Sequence, residues 1–205
     1  MTATRALDIS DLPPYSISMQ APLWWGQICM IAIETTMFSI LIAAYFYTRL
    51  RMDVWPPPGD QFPNTLLPGL ALIPLILSAF GSYCASESAK KNDRGGMILG
   101  LAANVVLAAV FFVLRWFEWH SLNFNWMNDV FGSYVWAFLG LHTFDFIAEL
   151  VATVVLLIIV ISGRYGERER VGVHVDSYVW YFVVVIWIPL YIVTYWGGRL
   201  VETAQ

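Results

Sequence analysis

The chain has 205 residues, of which 59% are hydrophobic and 13% charged, and its formal net charge is −4. An ordinary soluble domain is about 25% charged, so this chain has more apolar surface than a single core of its size hides from water. Its charges form no basic stripe of the kind that contacts a phosphate backbone, which argues against nucleic-acid binding.

The N-terminal segment does not have the basic and then apolar order of a cleavable signal peptide. It carries Arg5, Asp8, Asp11 and the pair Pro13-Pro14 instead. The first apolar run that follows is also too long for a signal peptide. Insertion into the membrane is therefore expected to use this first run as a true span.

Five apolar runs follow one another along the chain. A helix needs roughly 20 residues to cross a hydrocarbon core about 30 Å thick. We predict spans at about residues 23–47, 66–85, 97–116, 131–161 and 178–196. A lone segment in lipid satisfies its own amides only as a helix. The predicted fold class is therefore all-α, a polytopic bundle of five transmembrane helices.

The connecting segments are short, at about residues 49–65, 86–96, 117–130 and 162–177. They leave no room for an extramembrane domain, so residues 1–205 are predicted to form a single transmembrane domain. Pro74 and Pro189 fall inside spans two and five, where proline is tolerated and predicts a kink.

The distribution of Lys and Arg predicts the orientation of the chain. The face that holds the N-terminus would carry seven of them, and the opposite face four. The two sets are Arg5, Lys90, Lys91, Arg94, Arg164, Arg168 and Arg170, against Arg49, Arg51, Arg115 and Arg199. Since basic residues favour the cytoplasmic side, the N-terminus is predicted to be cytoplasmic and the C-terminus periplasmic.

Four side chains at membrane depth are the candidate functional residues. Glu34 lies halfway along span one, and His142, Asp145 and Glu149 lie on span four. Offsets of three and seven residues put the last three on one helix face. An ionised carboxylate in lipid costs several kcal/mol, so these groups are expected to face the bundle interior and to be paired, hydrated or protonated.

Three interpretations of these residues are open. The favoured one is a stripe of hydrogen bonds between span four and its neighbours, and the others are a proton relay and a metal site. A carboxylate-bridged metal site or a bis-histidine haem would need a second histidine at membrane depth. His120 and His174 are predicted to lie in loops, and Cys29 and Cys84 lack metal-ligand spacing. No metal site, intrinsic cofactor or catalytic centre is therefore expected.

Several segments carry a resemblance to a known family. They are WWG at 24–26, the mid-helix Glu34, AAYFY at 43–47, WPP at 55–57, FFVLRWFEW at 111–119, GSYVWAFLGLH at 132–142 and the helix from Trp180 to Gly197. In this order and spacing the chain resembles subunit III of haem-copper terminal oxidases (the cytochrome c oxidase type), in its short five-span form. The resemblance covers about residues 22–198.

Two departures from the family pattern stand out. Asp145 occupies the position of the second histidine in the family's HGLH motif, and Tyr181 and Val184 replace the His and Asp of WHFVD. The polar network that those residues would form in the family is therefore expected to be altered here, with Asp145 as a candidate replacement.

The resemblance implies a subunit without redox centres of its own, in a complex that oxidises cytochrome c or quinol and reduces oxygen to water. It implies packing on subunit I and assembly with subunit II, which hold the haem and copper. It also implies bound phospholipid, support of proton uptake and stability, and a bacterial inner membrane. The lipid-binding candidates are Trp24, Trp25, Arg164, Arg168 and Arg170.

Three other functions are compatible with the sequence. The first is the accessory subunit of a nitric oxide reductase, whose pattern overlaps with this one. The second is an independent proton-coupled transporter that uses Glu34, Asp145 and Glu149, although such proteins often contain inverted repeats and none is detected here. The third is an assembly protein that leaves the mature complex.

Overall fold

The structure is a computed structural model that describes residues 22–164 and 166–197, and in these residues every regular element is helical. The helices are α1 (Pro22–Arg49), α2 (Leu66–Lys90), α3 (Arg94–Ser121), α4 (Val130–Ile161) and α5 (Glu167–Tyr191), which continues into a π-helical turn at Ile192–Trp196. All five are long and apolar enough to cross a membrane. This confirms the predicted all-α architecture of five helices. Arg5, Arg199 and the N-terminal segment discussed above lie outside the described residues.

The helices extend beyond the predicted spans because hydropathy marks only the part of a helix that faces lipid. The largest extension is at α5, which begins at Glu167 rather than near residue 178. There the carboxylate of Glu169 accepts a hydrogen bond of 2.7 Å from the backbone N–H of Gly166, and acidic residues in the first turn favour the helix dipole. The prediction that His120 and His174 lie in loops is wrong, because both are helical.

Consecutive helices run in opposite directions, because a connecting loop cannot lie in lipid. We call the first face the one where α1, α3 and α5 begin, and the second face the opposite one. At the first face the Arg94 guanidinium donates hydrogen bonds of 3.1 and 2.8 Å to the carbonyls of Val160 and Ile161. Those carbonyls belong to the last turn of α4, where no intrahelical donor is available.

Small residues allow α2 and α3 to approach closely. A Cβ atom added to Gly100 would lie 2.5 Å from the backbone nitrogen of Ala85, and one added to Gly81 would lie 3.0 Å from that of Asn104. Close backbone approach of this kind is how membrane helices associate when lipid supplies no hydrophobic drive between them.

Helix α1 is held near its start and along its second half. Near the first face the rings of Trp24 and Tyr178 meet edge to face at 4.3 Å. Near the second face Tyr45 is buried among aromatic rings, and Thr48 is hydrogen-bonded to Tyr134 at 2.9 Å. Phe38 and Tyr45 are the buried residues of α1. The first half of this helix, at residues 25–37, therefore has no buried residue.

An ion pair inside the bundle joins α3 to the end of α5. Arg115 is 1% exposed, and its Nη1 lies 3.0 Å from Oε2 of Glu118. The hydroxyl of Tyr195 donates to the same carboxylate, and the guanidinium lies 3.9 Å from the ring centroid of Trp187. Arg115, which was counted among the basic residues of the second face, is therefore buried near that face and does not add an exposed charge to it.

Replacing Glu118 by Leu is expected to lower the free energy of unfolding by about 3–5 kcal/mol, because the Arg115 guanidinium would stay buried without a counter-charge. The double variant Glu118→Leu/Arg115→Met should recover most of this loss, since an apolar pair leaves no uncompensated charge. Denaturant titration of the purified protein in mixed micelles measures both changes.

The matched control is the pair of Glu87 and Lys90, which has the same spacing of three residues but is largely exposed. Glu87→Leu is expected to leave the free energy of unfolding unchanged, because exposed pairs contribute little. Equal stability of the Glu118→Leu and Glu87→Leu variants would contradict a stabilising role for the buried pair.

The segment between α1 and α2 is docked on the start of α4. The Trp55 indole is buried, donates a hydrogen bond of 3.0 Å to the hydroxyl of Tyr45 and meets Phe131 edge to face. Asp129 caps α4 by accepting a 2.7 Å hydrogen bond from the N–H of Gly132. Burial, followed by the hydrogen bond and negative charge of Asp129, raises the pKa of Asp60 to about 6.

The docking of this segment is expected to weaken as pH rises from about 4 to 6. The unfolded pKa of an Asp is about 3.9, so the docked state binds the extra proton throughout this interval, and its stability falls until Asp60 is ionised. Hydrogen exchange of the amides at 52–62, corrected for the intrinsic rate, measures the opening. Asp60→Asn should abolish this pH dependence, whereas Asn at the exposed Asp53 should keep it; a wild-type profile that is flat from pH 4 to 6 would contradict the assignment.

Candidate functional site

A pocket of about 300 Å³ lies against the first half of α1, in the stretch of this helix that has no buried residue. Glu34 of α1 and Asp145 and Glu149 of α4 line it. The other lining residues are Gln27, Met30, Phe144, Ala148, Val179 and Val183. The structure thus brings together three of the four side chains that the sequence singled out.

Glu149 has its partner on the neighbouring helix. Its side chain is 9% exposed and is hydrogen-bonded to the carboxyl group of Asp176 on α5, which is 7% exposed. The Thr153 hydroxyl donates to both oxygens of Asp176, at 3.1 and 3.2 Å, and accepts a 2.6 Å hydrogen bond from the Trp180 indole. Asp176 is therefore held in place by Thr153 of α4, which is in turn fixed by Trp180 of α5.

Asp176 is a site residue that sequence analysis missed, because span five was taken to begin at about residue 178. A signal for it was present. Glu167 and Glu169 after Gly166 are typical of a helix start. From that start, the spacing of four residues between Asp176 and Trp180 puts both side chains on the same face of the helix.

His142 does not join the pocket. It is fully buried, and its Nε2 donates to the carbonyl oxygen of Val183 at 3.0 Å, since a carbonyl only accepts. Its ring lies 4.5 Å from that of Trp187. His142 shares a helix face with Glu149 but lies about 10 Å nearer the second face. At that level α4 packs directly on α5.

Two oxygen atoms at the pocket have no hydrogen-bond partner among the described residues, Oδ2 of Asp145 and Oε1 of Glu149. Carboxyl groups at membrane depth must bind protons, water or cations. In the described part of the chain, no group of three or more His, Cys, Asp or Glu side chains is arranged to hold a metal ion. The chemistry that fits this arrangement is the binding of protons and water.

The lipid-binding candidates lie near the first face. Trp24 packs on Tyr178, whereas Trp25 is 55% exposed. Arg164 and Arg168 are exposed, and the guanidinium of Arg170 lies 3.7 Å from the Glu167 carboxylate. Together these residues present an aromatic ring and basic groups at one end of the bundle.

Comparison with known proteins gives a consistent result. The family model for cytochrome c oxidase subunit III matches residues 13–199. Cytochrome c oxidase subunit 3 of Rhizopus stolonifer is 28% identical over 189 residues, which cover 90% of this chain and 67% of the relative. The protein of the same name from Synechocystis sp. is 27% identical, over 83% of this chain and 74% of the relative. That from Drosophila melanogaster is 26% identical, over 86% and 70%. The chain belongs to the cytochrome c oxidase subunit III family.

Proposed function

We propose that the chain is a non-redox subunit III of a haem-copper terminal oxidase in a bacterial inner membrane. The observation that carries the proposal is the family match over residues 13–199, which includes all five apolar helices. In this role the chain packs on subunit I. Partner subunits hold the haem and copper, oxidise cytochrome c or quinol and reduce oxygen to water.

The first face is proposed to be cytoplasmic and the second periplasmic. Exposed basic residues of the described chain concentrate at the first face, where Lys90, Lys91, Arg94, Arg164 and Arg168 lie. Burial of Arg115 strengthens this bias, because it removes a charge from the second face. The asymmetry is the one that basic loop residues show in membrane proteins.

Phospholipid binding is proposed for the first face. Trp25 is an exposed interfacial ring, and Arg164 and Arg168 are exposed cations next to the loop between α4 and α5. Such cations attract anionic headgroups at the cytoplasmic surface, and tryptophan favours the depth of the headgroups.

Support of proton uptake is proposed for the pocket beneath α1. Glu34, Asp145 and Glu149 face one space at membrane depth, with Asp176 behind them. Ionisable groups placed like this often belong to proton pathways. A proton bound here is available to the partner subunit that consumes protons during oxygen reduction.

A second candidate is an independent proton-coupled transporter, and the same pocket favours it. The two functions differ in what the chain needs to act. A transporter works alone in liposomes, whereas an oxidase subunit acts only within its complex. The accessory subunit of a nitric oxide reductase is distinguished by the identity of the large partner.

Extraction of the tagged chain in mild detergent is expected to bring with it a large polytopic subunit and stoichiometric haem. A reduced-minus-oxidised visible spectrum of the preparation should show a-type or o-type haem. A b-type spectrum with nitric oxide reductase activity would favour the nitric oxide reductase. A haem-free chain without partners that moves protons in liposomes would replace the proposal by the transporter.

Glu34→Gln is expected to lower the turnover of the assembled oxidase at high pH, where protons are scarce, because the amide cannot bind a proton. It should also shorten the lifetime of the enzyme during turnover. Oxygen consumption against pH and time measures both effects. Thr35→Val is the matched control, since Thr35 is the next residue on α1, is exposed and bonds only to the carbonyl of Ile31.

Unchanged turnover, assembly and inactivation rate in Glu34→Gln would remove any special role for this carboxyl group. Equal losses in Glu34→Gln and Thr35→Val would also contradict the proposal. They would show that the effect comes from disturbing α1 rather than from losing a proton site.

A further inference from the structure

We propose that Glu149 and Asp176 together form a binding site for a single exchangeable proton, which reaches them through water in the pocket beneath α1. The inference deepens the proposed role in proton uptake and rests on it for the use of the proton. The existence of the site does not depend on that role, and the two are tested by different measurements.

The Glu149 and Asp176 carboxyls come from neighbouring helices, are both buried and lie within hydrogen-bonding reach of each other. An ionised carboxylate only accepts hydrogen bonds. A hydrogen bond between two carboxyl groups therefore requires a proton on one of them.

The surroundings of the pair carry negative charge. The charged groups that act on Glu149 are all acidic: Asp176 from α5 and Glu34 from α1, with Asp145 on the same helix also lining the pocket. Two adjacent buried carboxylates without a counter-charge cannot both ionise. One proton for the pair leaves a single negative charge, which the hydrogen bonds of Asp176 stabilise.

The other charged groups on the helices around the pair lie nearer the helix ends, and several are already paired. They are Glu87 and Lys90 on α2, Arg94, Arg115, Glu118 and His120 on α3, and Glu167, Arg168, Glu169, Arg170 and His174 on α5. Lys90 binds Glu87, Arg94 binds the end of α4, and Arg115 binds Glu118. No cation is among the described groups that act on Glu149 or Asp176.

Asp176 and Glu149 differ in their hydrogen-bond partners, and this difference determines which of them carries the proton. Asp176 accepts hydrogen bonds from Thr153, which is itself fixed by Trp180, so Asp176 is suited to be the ionised partner. Glu149 then carries the proton. Its Oε1 atom has no partner among the described residues and belongs to a side chain that lines the pocket. This oxygen is the point at which water makes contact with the pair.

The pocket gives water a path to the pair. The pocket is about 300 Å³, and one water needs roughly 10–15 Å³ of such a volume. Several waters therefore fit between Glu149 and Glu34. Trp24 near the start of α1 meets Tyr178 of α5, two residues after Asp176. Glu34 lies ten residues, or about 15 Å, further along α1 than Trp24. Asp176 therefore lies nearer the face proposed to be cytoplasmic than Glu34 does.

The proton transfer itself is simple. A hydronium ion in the pocket gives its proton to the singly charged pair, which leaves a water molecule and a pair that is briefly neutral. Water then takes one proton from Glu149 and passes it to the Glu34 carboxylate, and the pair returns to a single negative charge. No oxidant, reductant or further co-reactant is required.

Infrared difference spectroscopy of the purified complex tests the site. The carbonyl stretch of a protonated carboxyl group is expected in the wild type and should shift in deuterated water. Glu149→Gln should abolish this band, because the amide donates to Asp176 and leaves it ionised. Asp176→Asn should keep the band at a shifted frequency, because Glu149 then has a different partner. Ala148→Phe, which fills the pocket, should keep the band and slow its isotope shift.

Asp145→Asn is the matched control, because Asp145 lines the same pocket but is not in the pair, and it should leave the band in place. A band that persists unchanged in both Glu149→Gln and Asp176→Asn would overturn the proposal. If one of these variants fails to assemble, the other decides by the same criterion. Haem content of the same preparation reports separately on the proposed oxidase role, so loss of haem without loss of the band would contradict that role alone.

Discussion

Lipid offers no hydrogen-bond partner to a polar group, and this constraint explains where each ionisable side chain inside the bundle is placed. At the second-face end, Arg115 and Glu118 neutralise each other, and Tyr195 and Trp187 complete the enclosure. Nearer the first face, two carboxyl groups meet without a cation. The first arrangement removes charge by pairing opposite signs. The second lowers the charge of the pair to a single negative one by binding a proton, and water can reverse this step.

The same constraint accounts for the position of α1. A helix packed along its whole length on α4 and α5 would have closed off Glu34, Asp145 and Glu149 from any water. Aromatic contacts hold α1 near its start through Trp24 and in its second half through Phe38 and Tyr45, and leave residues 25–37 without a buried side chain. The stability of the bundle therefore does not require that the pocket be filled. Space for water in the pocket is compatible with a stable fold, because the residues of α1 that line the pocket differ from those that pack on the core.

Hydropathy was sufficient to predict the five helices and their order, since each run must satisfy its own amides in lipid. It was not sufficient for charged residues near the ends of spans. Arg115 was counted with the basic residues of the second face, where basic side chains usually reach the interface. In the structure it turns inward, since Glu118 lies one turn away and Tyr195 arrives from α5. The contact between Tyr195 and Glu118 cannot be predicted from the sequence of either segment alone.

Periodicity had a similar limit at the site. It placed His142 and Glu149 on one face of α4, which is correct, but a helical wheel does not say which neighbour is met at each level along the axis. His142 meets Val183 and Trp187, whereas Glu149 meets Asp176. Asp176 itself fell outside the predicted span because the polar start of α5 has low hydropathy. Its capping signal predicts the helix better than its composition does.

The departures from the family pattern have a consistent structural meaning. Where the pattern has an Asp in the last helix, this chain has the buried Val184, and its acidic group on α5 is Asp176. Eight residues of helix correspond to about 12 Å, so this group lies roughly two turns nearer the first face. Tyr181, in place of the family's His, lines a separate polar pocket with Lys90 and His174. The acidic group of the last helix therefore lies nearer the face proposed to be cytoplasmic than the family's Asp would, and Glu149 on α4 lies against it.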